Sequence, residues 1–253
     1  MNMYARDPYL RSIELERVGI TSFQQYPFNL EVIKKLDKLK FHPKVTYIIG
    51  ENGTGKSTLL ESIAIAWGFN PEGGTQNFTF STEATHSHLH EHIRLVRGRS
   101  KPRDGFFFRA ESYYNLATHI EELDREPSKT RPIKASYGGK SLHEQSHGEA
   151  FFATFMHRFG GHGLYILDEP EAALSPLRQM AMLSRIHELV QNNSQFLIST
   201  HSPILMAYPD SLIYNLTSEG IEIKTLEETD HFLIMKQFMN NKEKMIKQLF
   251  DEI

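Results

Sequence analysis

Gly50-Glu51-Asn52-Gly53-Thr54-Gly55-Lys56-Ser57-Thr58 is the stretch on which the fold turns. It satisfies the spacing G-x-x-x-x-G-K-[ST] and lies in the context that spacing requires. An apolar, β-branched run precedes it (Val45-Thr46-Tyr47-Ile48-Ile49), and a helical pattern follows from Thr58 to Ala64. Glycines let successive backbone N–H groups curl into a concave anion nest, and the N-terminus of the helix adds the positive end of its dipole. Lys56 is placed to reach the β- and γ-phosphates of a nucleotide, and the Ser57 hydroxyl to ligate Mg²⁺. The flanking strand and helix favour a nucleoside-triphosphate site over a turn that only joins two elements.

The second half of the chain carries matching chemistry. Leu164-Tyr165-Ile166-Leu167-Asp168-Glu169-Pro170 reads as a buried strand ending in two carboxylates. Beside a phosphate loop, Asp168 suits a water-mediated Mg²⁺ contact and Glu169 a general base that polarises water. Taken alone, the pair would read equally as strand-end solvation. Phe196-Leu197-Ile198-Ser199-Thr200-His201 is another apolar strand, delivering a histidine where parallel sheets place ligands. Ser146-His147-Gly148-Glu149 opens a helical stretch. Ser146 with Glu149 three residues on is a capping box, and the same helix N-terminus is a ready γ-phosphate receptor; both readings stand.

Working outward, strand-like runs are expected at Ile13–Val18, Tyr26–Leu30, His90–Val96 and Gly105–Arg109. Helices are expected at Ser112–Leu123, 147–159 and 175–191, with strands at 163–168 and 195–200. Strands alternating with helices predict an α/β fold with a mainly parallel sheet covered on both faces. Residues 229–250 carry apolar side chains at helical spacing and predict a helix packed on the domain, or a partner-binding one. The 253 residues suffice for one large domain, expected as a single unit over 1–253 with an inserted β-hairpin and helical lobe at 78–145. A net charge of −3 announces neither nucleic acid nor acidic lipid globally. The absence of cysteine excludes disulfides and thiolate metal sites. With no apolar leader in Met1–Leu10 and no run of about 18 apolar residues, the sequence predicts a cytoplasmic protein without a membrane span.

Phosphate loop, Ser146–Glu149, Leu-Asp-Glu-Pro, Glu171-Ala172-Ala173-Leu174-Ser175-Pro176 and Ser199-Thr200-His201-Ser202-Pro203, in that order, resemble an ABC-type ATPase. More narrowly they are similar to the RecF/SMC/OLD-like branch, short bacterial AAA-family ATPases without coiled coil. The resemblance implies a P-loop NTPase head with an N-terminal antiparallel segment and an inserted lid. It also implies an ATP-dependent homodimer, each ATP held between one loop and the partner's signature helix. Ser146, Gly148 and Glu149 would then meet the γ-phosphate of ATP bound on the other subunit. His201 would contact the γ-phosphate in cis, and residues 171–176 would form the D-loop at the seam. A transporter nucleotide-binding subunit is the alternative; Gly148-Glu149 and Ser175 depart from its usual signature and D-loop.

The glutamine that ligates Mg²⁺ in the family has no clean match. Glu111, placed where the lid strand should end, and Gln76, in a Gly/Asn-rich loop, are the two candidates, with Glu111 favoured as a metal ligand. Phe23 and Tyr26 are candidate adenine contacts or core aromatics. His86, His88, His90 and His92 repeat every second residue, which predicts one face of an extended strand, polar or metal-binding. Arg94, Arg97, Arg99, Lys101, Arg103 and Arg109 crowd one stretch. A tip carrying Arg97, Arg99 and Arg103 could follow a DNA backbone, dock an acidic partner protein, or simply be solvated.

Overall fold

Two sheets organise the chain in the computed structural model, which describes residues 6–76, 87–110, 147–172 and 174–251, with residues 113, 118, 120 and 124 between them. β1 (Leu10–Leu15), β2 (Lys38–Lys40) and β4 (Ile93–Arg97) form an antiparallel sheet in the order β2-β1-β4. The larger sheet runs β5-β6-β7-β3-β8-β9. Its strands are β3 (Val45–Gly50), β5 (Asp104–Arg109), β6 (Gly163–Asp168), β7 (Gln195–Ser199), β8 (Leu212–Thr217) and β9 (Gly220–Lys224). All pairings in it are parallel except β8 with β9.

The central strands are apolar throughout because both of their faces are covered. Along β3, Val45, Tyr47 and Ile49 point into a core shared with α3 (His147–Arg158) and α4 (Pro176–Gln191). Ile48 points the other way, toward α2 (Lys56–Trp67) and the antiparallel sheet. The first core is strongly aromatic: Phe159 stacks on Tyr165 with ring centroids 4.4 Å apart, and Tyr165 on Phe196 at 5.1 Å. Pro176 at the first helical position and the Ser175 side chain, which accepts from Arg178 N, start α4. Gly68, in the left-handed region at φ +107°, ends α2.

One buried amide ties the two sheets together. Gln195 Nε2 donates to Leu10 O at 2.8 Å and to His42 O at 3.0 Å, while its Oε1 accepts from Leu10 N at 2.9 Å. Gln195→Leu would strand these backbone groups in a dry interior, each costing roughly 1–3 kcal/mol. A melting temperature lowered by roughly 6 °C or more is the expected result, on a scale of roughly 2–4 °C per kcal/mol for a chain of this size. A scanning-calorimetry curve coincident with wild type would remove the clamp from the account.

Several expectations need correction. Residues 26–30 form turns leading into the short helix α1 (Glu31–Lys34), because Pro27 and Pro-flanking geometry leave no donor pattern for a ladder. The histidine run is not extended: His88–His92 is a 3₁₀ turn. His88 meets Glu91, His90 faces Ser87 O and His92 faces Glu16 O, so no shared metal face exists among these three; His86 lies outside the described residues. Residues 93–109 do not form a hairpin either, since β4 joins the antiparallel sheet and β5 the parallel one. The rest of the expected lobe at 78–145 lies mostly outside the described residues. The C-terminal stripe breaks into α6 (Asp230–Asn240) and α7 (Lys242–Asp251), and α6 buries none of its residues fully. A second short helix, α5 (Pro203–Met206), follows β7.

Candidate functional site

The carboxyl ends of adjacent strands assemble the site. Ser199 on β7 pairs in register with Ile48 on β3 and with Asp168 on β6, so the strand feeding the loop and the strand carrying the carboxylates are joined through it. Gly50 has φ +142°, and a Cβ there would lie 2.3 Å from the Leu216 carbonyl oxygen; no other residue fits. Gly53 and Gly55 are also in positive φ. Thr54 Oγ1 donates to Glu51 O at 2.8 Å and closes the loop on itself. Lys56 is buried inside this arch, its Nζ donating to Gly50 O at 2.9 Å and Glu51 O at 3.0 Å. Burial pulls its pKa down, opposed by the charges of Glu169, Asp168 and Glu171.

Ser57 Oγ donates to Asp168 Oδ1 at 3.1 Å, and Ser199 Oγ donates to the same oxygen. A hydroxyl and a carboxylate side by side are the hard oxygen donors Mg²⁺ selects, so the residues present fit that ion. Among the described residues no three His, Asp or Glu side chains gather at one point. A cation here would therefore complete its shell with phosphate oxygens and water.

Burial pushes the Asp168 carboxyl upward, against hydrogen bonds from Ser199 and Ser57 and the nearby Arg109 charge. With its folded-state pKa above the unfolded one, the native state keeps the proton longer, and stability falls as pH rises through that window. The unfolded carboxylate is ionised at neutral pH, so the cost is felt there. Asp168→Asn is therefore expected to raise the melting temperature of the nucleotide-free protein at pH 7, with the gain shrinking as pH drops toward 4. A destabilised variant at pH 7 would show that the carboxylate is not under this strain.

Glu169 sits at φ +49°, a left-handed conformation that costs a non-glycine residue roughly 1–2 kcal/mol. Its backbone N–H is held by Ser199, at 3.1 Å to Oγ and 3.2 Å to O. The kink turns its side chain out of the sheet, 40% exposed, with Oε1 3.5 Å from His201 Nε2. His201 is fixed by its backbone N–H, which donates to Glu171 Oε1 at 2.6 Å. Burial raises the Glu171 pKa, opposed by this bond.

The structure thus brings Lys56, Ser57, Asp168, Glu169 and His201 together. Gly148 is buried and Glu149 exposed in the first turn of α3, where Glu149 pairs with Arg178 of α4 at 3.4 Å. Ser146 and Glu111 lie outside the described residues. Gln76 Nε2 donates to Trp67 O at 3.2 Å, at the far end of α2. That end is roughly 16 Å along the helix from Lys56 at about 1.5 Å per residue. Tyr26 OH reaches Thr58 Oγ1 at 2.9 Å beside the loop, while Phe23 packs edge-on against Phe28.

Two features were not expected. His231, at the start of α6, places Nε2 3.0 Å from His201 Nδ1. A cavity of about 1210 Å³ opens beside the loop, with Glu51–Thr54 on one side and Ile234, Met235, Phe238 and Met245 of the C-terminal helices on the other. The helical spacing of 229–250 was legible; that it faces the loop follows from the chain's path after β9.

The fold and this loop define a P-loop ATPase of ABC type, a protein that binds and hydrolyses ATP. The model described as "AAA domain" matches residues 17–145, just over half of the chain, and a second, described as "AAA domain, putative AbiEii toxin, Type IV TA system", matches 85–207. The chain belongs to the AAA-domain family, in line with its resemblance to the RecF/SMC/OLD-like branch. An uncharacterized ABC transporter ATP-binding protein of Haemophilus influenzae is 25% identical over 210 residues, covering 75% of this chain and 72% of its own. The structure of cbiO1 from Clostridium perfringens, part of the ABC transporter complex cbiONQ, matches with TM-score 0.50 at 18% identity, over 97% of this chain and 100% of that one. An SMC head domain from Thermotoga maritima matches with TM-score 0.40 at 16% identity, over 85% and 98%. At these identities the structural likeness is one of fold. No helix among the described residues is long and apolar enough to cross a membrane.

Proposed function

We propose that residues 1–253 act as one ATPase head that closes into an ATP-sandwiched homodimer and reopens on hydrolysis, serving a DNA-related or defence-type system. The observation that carries this reading is the convergence of Lys56, Ser57, Asp168, Glu169 and His201 at the carboxyl ends of neighbouring strands. In the sandwich a second copy would bring Gly148 and Glu149 of its own α3 to this site. Mg²⁺, when bound, would be held by Ser57 and Asp168 and would offset charge on the β- and γ-phosphate oxygens. Lys56 exchanges its two carbonyl partners for phosphate oxygens. Glu169 takes the proton of the attacking water, and His201 holds the γ-phosphate in line with it. Loss of the bridging phosphate removes the charge that joined the two heads.

The defence-type arm draws support from the match to a putative AbiEii toxin model over 85–207. DNA contact is proposed at Arg97, Arg99 and Arg103, although the basic stretch is less concentrated than its sequence suggests. Arg94 pairs with Glu14, Arg109 with Glu61, and Arg97 lies over the Trp67 ring at 4.4 Å. Turnover with and without double-stranded DNA tests the arm. Stimulation should appear, and reversing Arg97, Arg99 and Arg103 to Glu should weaken DNA binding and flatten its salt dependence. The Haemophilus relative favours a second reading, the nucleotide-binding subunit of a transporter. Turnover indifferent to DNA, with co-purification of a membrane permease, would select it.

A further inference from the structure

We infer that His231 is a positioning residue for ATP hydrolysis, fixing the tautomer and orientation of His201 from the C-terminal helix α6. The inference rests on the proposed role of His201. His201 Nε2 lies 3.5 Å from Glu169 Oε1 without a hydrogen bond to it. In its proposed role Nε2 donates to a γ-phosphate oxygen, and for that it must carry the proton. Neutral His201 then presents a bare Nδ1. That atom is 3.0 Å from His231 Nε2, which must be the donor. His231 is thereby assigned as the Nε2–H tautomer, with a lone pair on Nδ1. Among the described residues Nδ1 of His231 and Nε2 of His201, the two outer nitrogens of the pair, are buried and make no hydrogen bond.

The surroundings hold His231 neutral, which this arrangement requires. It occupies the second position of α6, whose N-terminal dipole disfavours a cation. Burial first, and then the facing His201 and Lys56, push its pKa down, and Asp230, its own neighbour, opposes them. The backbone that carries it is fixed by Thr229, whose Oγ1 donates to Leu226 O at 2.7 Å and accepts from Phe232 N at 3.3 Å. His201 is thus gripped twice, at its backbone by Glu171 and at its ring by His231. In the serine-protease triad a buried partner performs the same service for its histidine, and loss of the correct tautomer there costs about 10⁴-fold in kcat.

The test compares His231→Phe, which keeps ring volume without a donor, with His231→Gln, whose amide N–H reaches a similar point. Phe should lower kcat for ATP about tenfold or more, with KM within about twofold and an unchanged melting curve, and Gln should recover most of the loss. In a His201→Ala background the Phe substitution should do nothing further. Long-range ¹H–¹⁵N spectra of the imidazoles at pH 8 should show His201 as the Nε2–H tautomer in wild type and as a mixture in His231→Phe. Equal impairment by Phe and Gln, a loss that persists without His201, or an unchanged tautomer would overturn the inference. The spectra need no turnover, so they read the histidine pair even if the ATPase reading fails; a Glu169→Gln protein of full activity would mark that other failure.

Discussion

Glu169→Gln should lower kcat for ATP hydrolysis by about 10²–10⁴-fold, the contribution of a positioned general base, and leave ATP binding in place. The substitution is isosteric. It keeps the left-handed backbone at φ +49° no more strained than before, and the two contacts its backbone N–H makes with Ser199, to Oγ and to O, do not involve the replaced side chain and survive. Lys56, Ser57 and Asp168 are untouched, so phosphate and metal would still be held. What disappears is the acceptor: an amide cannot take the proton of water. If ATP joins two heads and its cleavage parts them, the variant should accumulate as an ATP-bound species of about twice 29.2 kDa. Phosphate release and light-scattering mass with ATP and Mg²⁺ measure both halves. A variant with wild-type turnover would remove Glu169 as the base. A slow variant that stays monomeric would keep the base and discard the sandwich.

How much of this was legible depended on the range of the interactions involved. β3, β6 and β7 are short apolar runs bounded by glycine, asparagine or charged residues, and being buried on both faces they announce themselves without partners. The loop and the Asp168-Glu169 pair follow directly from those strands. What the sequence hid is long-range. Nothing local says that β1 will pair with β4 some eighty residues on, as in Ile13 with Leu95, or that Gln195 will reach Leu10 and His42. The alternating histidines deceived because period 2 is a strand signal only when the backbone is extended; here His90 Nδ1 turns back to the Ser87 carbonyl and a 3₁₀ turn results. The stripe in 229–250 had the correct period, but the period did not choose between its two readings, a helix packed on the domain or a partner-binding one. Leu233, Met235 and Met239 are each about half exposed or more, so helical spacing described the element without describing its cover. His231 was invisible for the same reason: a lone histidine acquires meaning only when the fold sets it against His201.

Lys56→Met should abolish the stabilisation that ATP confers while leaving the nucleotide-free fold close to wild type. The Lys56 ammonium is buried and its pKa is depressed by that burial, so its two carbonyl contacts are offset by desolvation. Methionine fills the same channel without a charge to desolvate. The loop carbonyls of Gly50 and Glu51 lose a donor, and the cost on one side opposes the relief on the other. With triphosphate the balance changes, because the ammonium meets oxygens of full negative charge, and hydrogen bonds of that kind are worth about 1.5–3 kcal/mol each. Losing two of them, about 3 kcal/mol or more, weakens ATP binding more than a hundredfold. For wild type at a hundredfold excess of ATP over Kd, linkage gives about 2.7 kcal/mol, or roughly 5–10 °C in a thermal scan. That shift should vanish in the variant at the same ATP concentration. If it survives undiminished, Lys56 does not touch the phosphates, and the nine residues from Gly50 to Thr58 bind nothing through the lysine they appear built around.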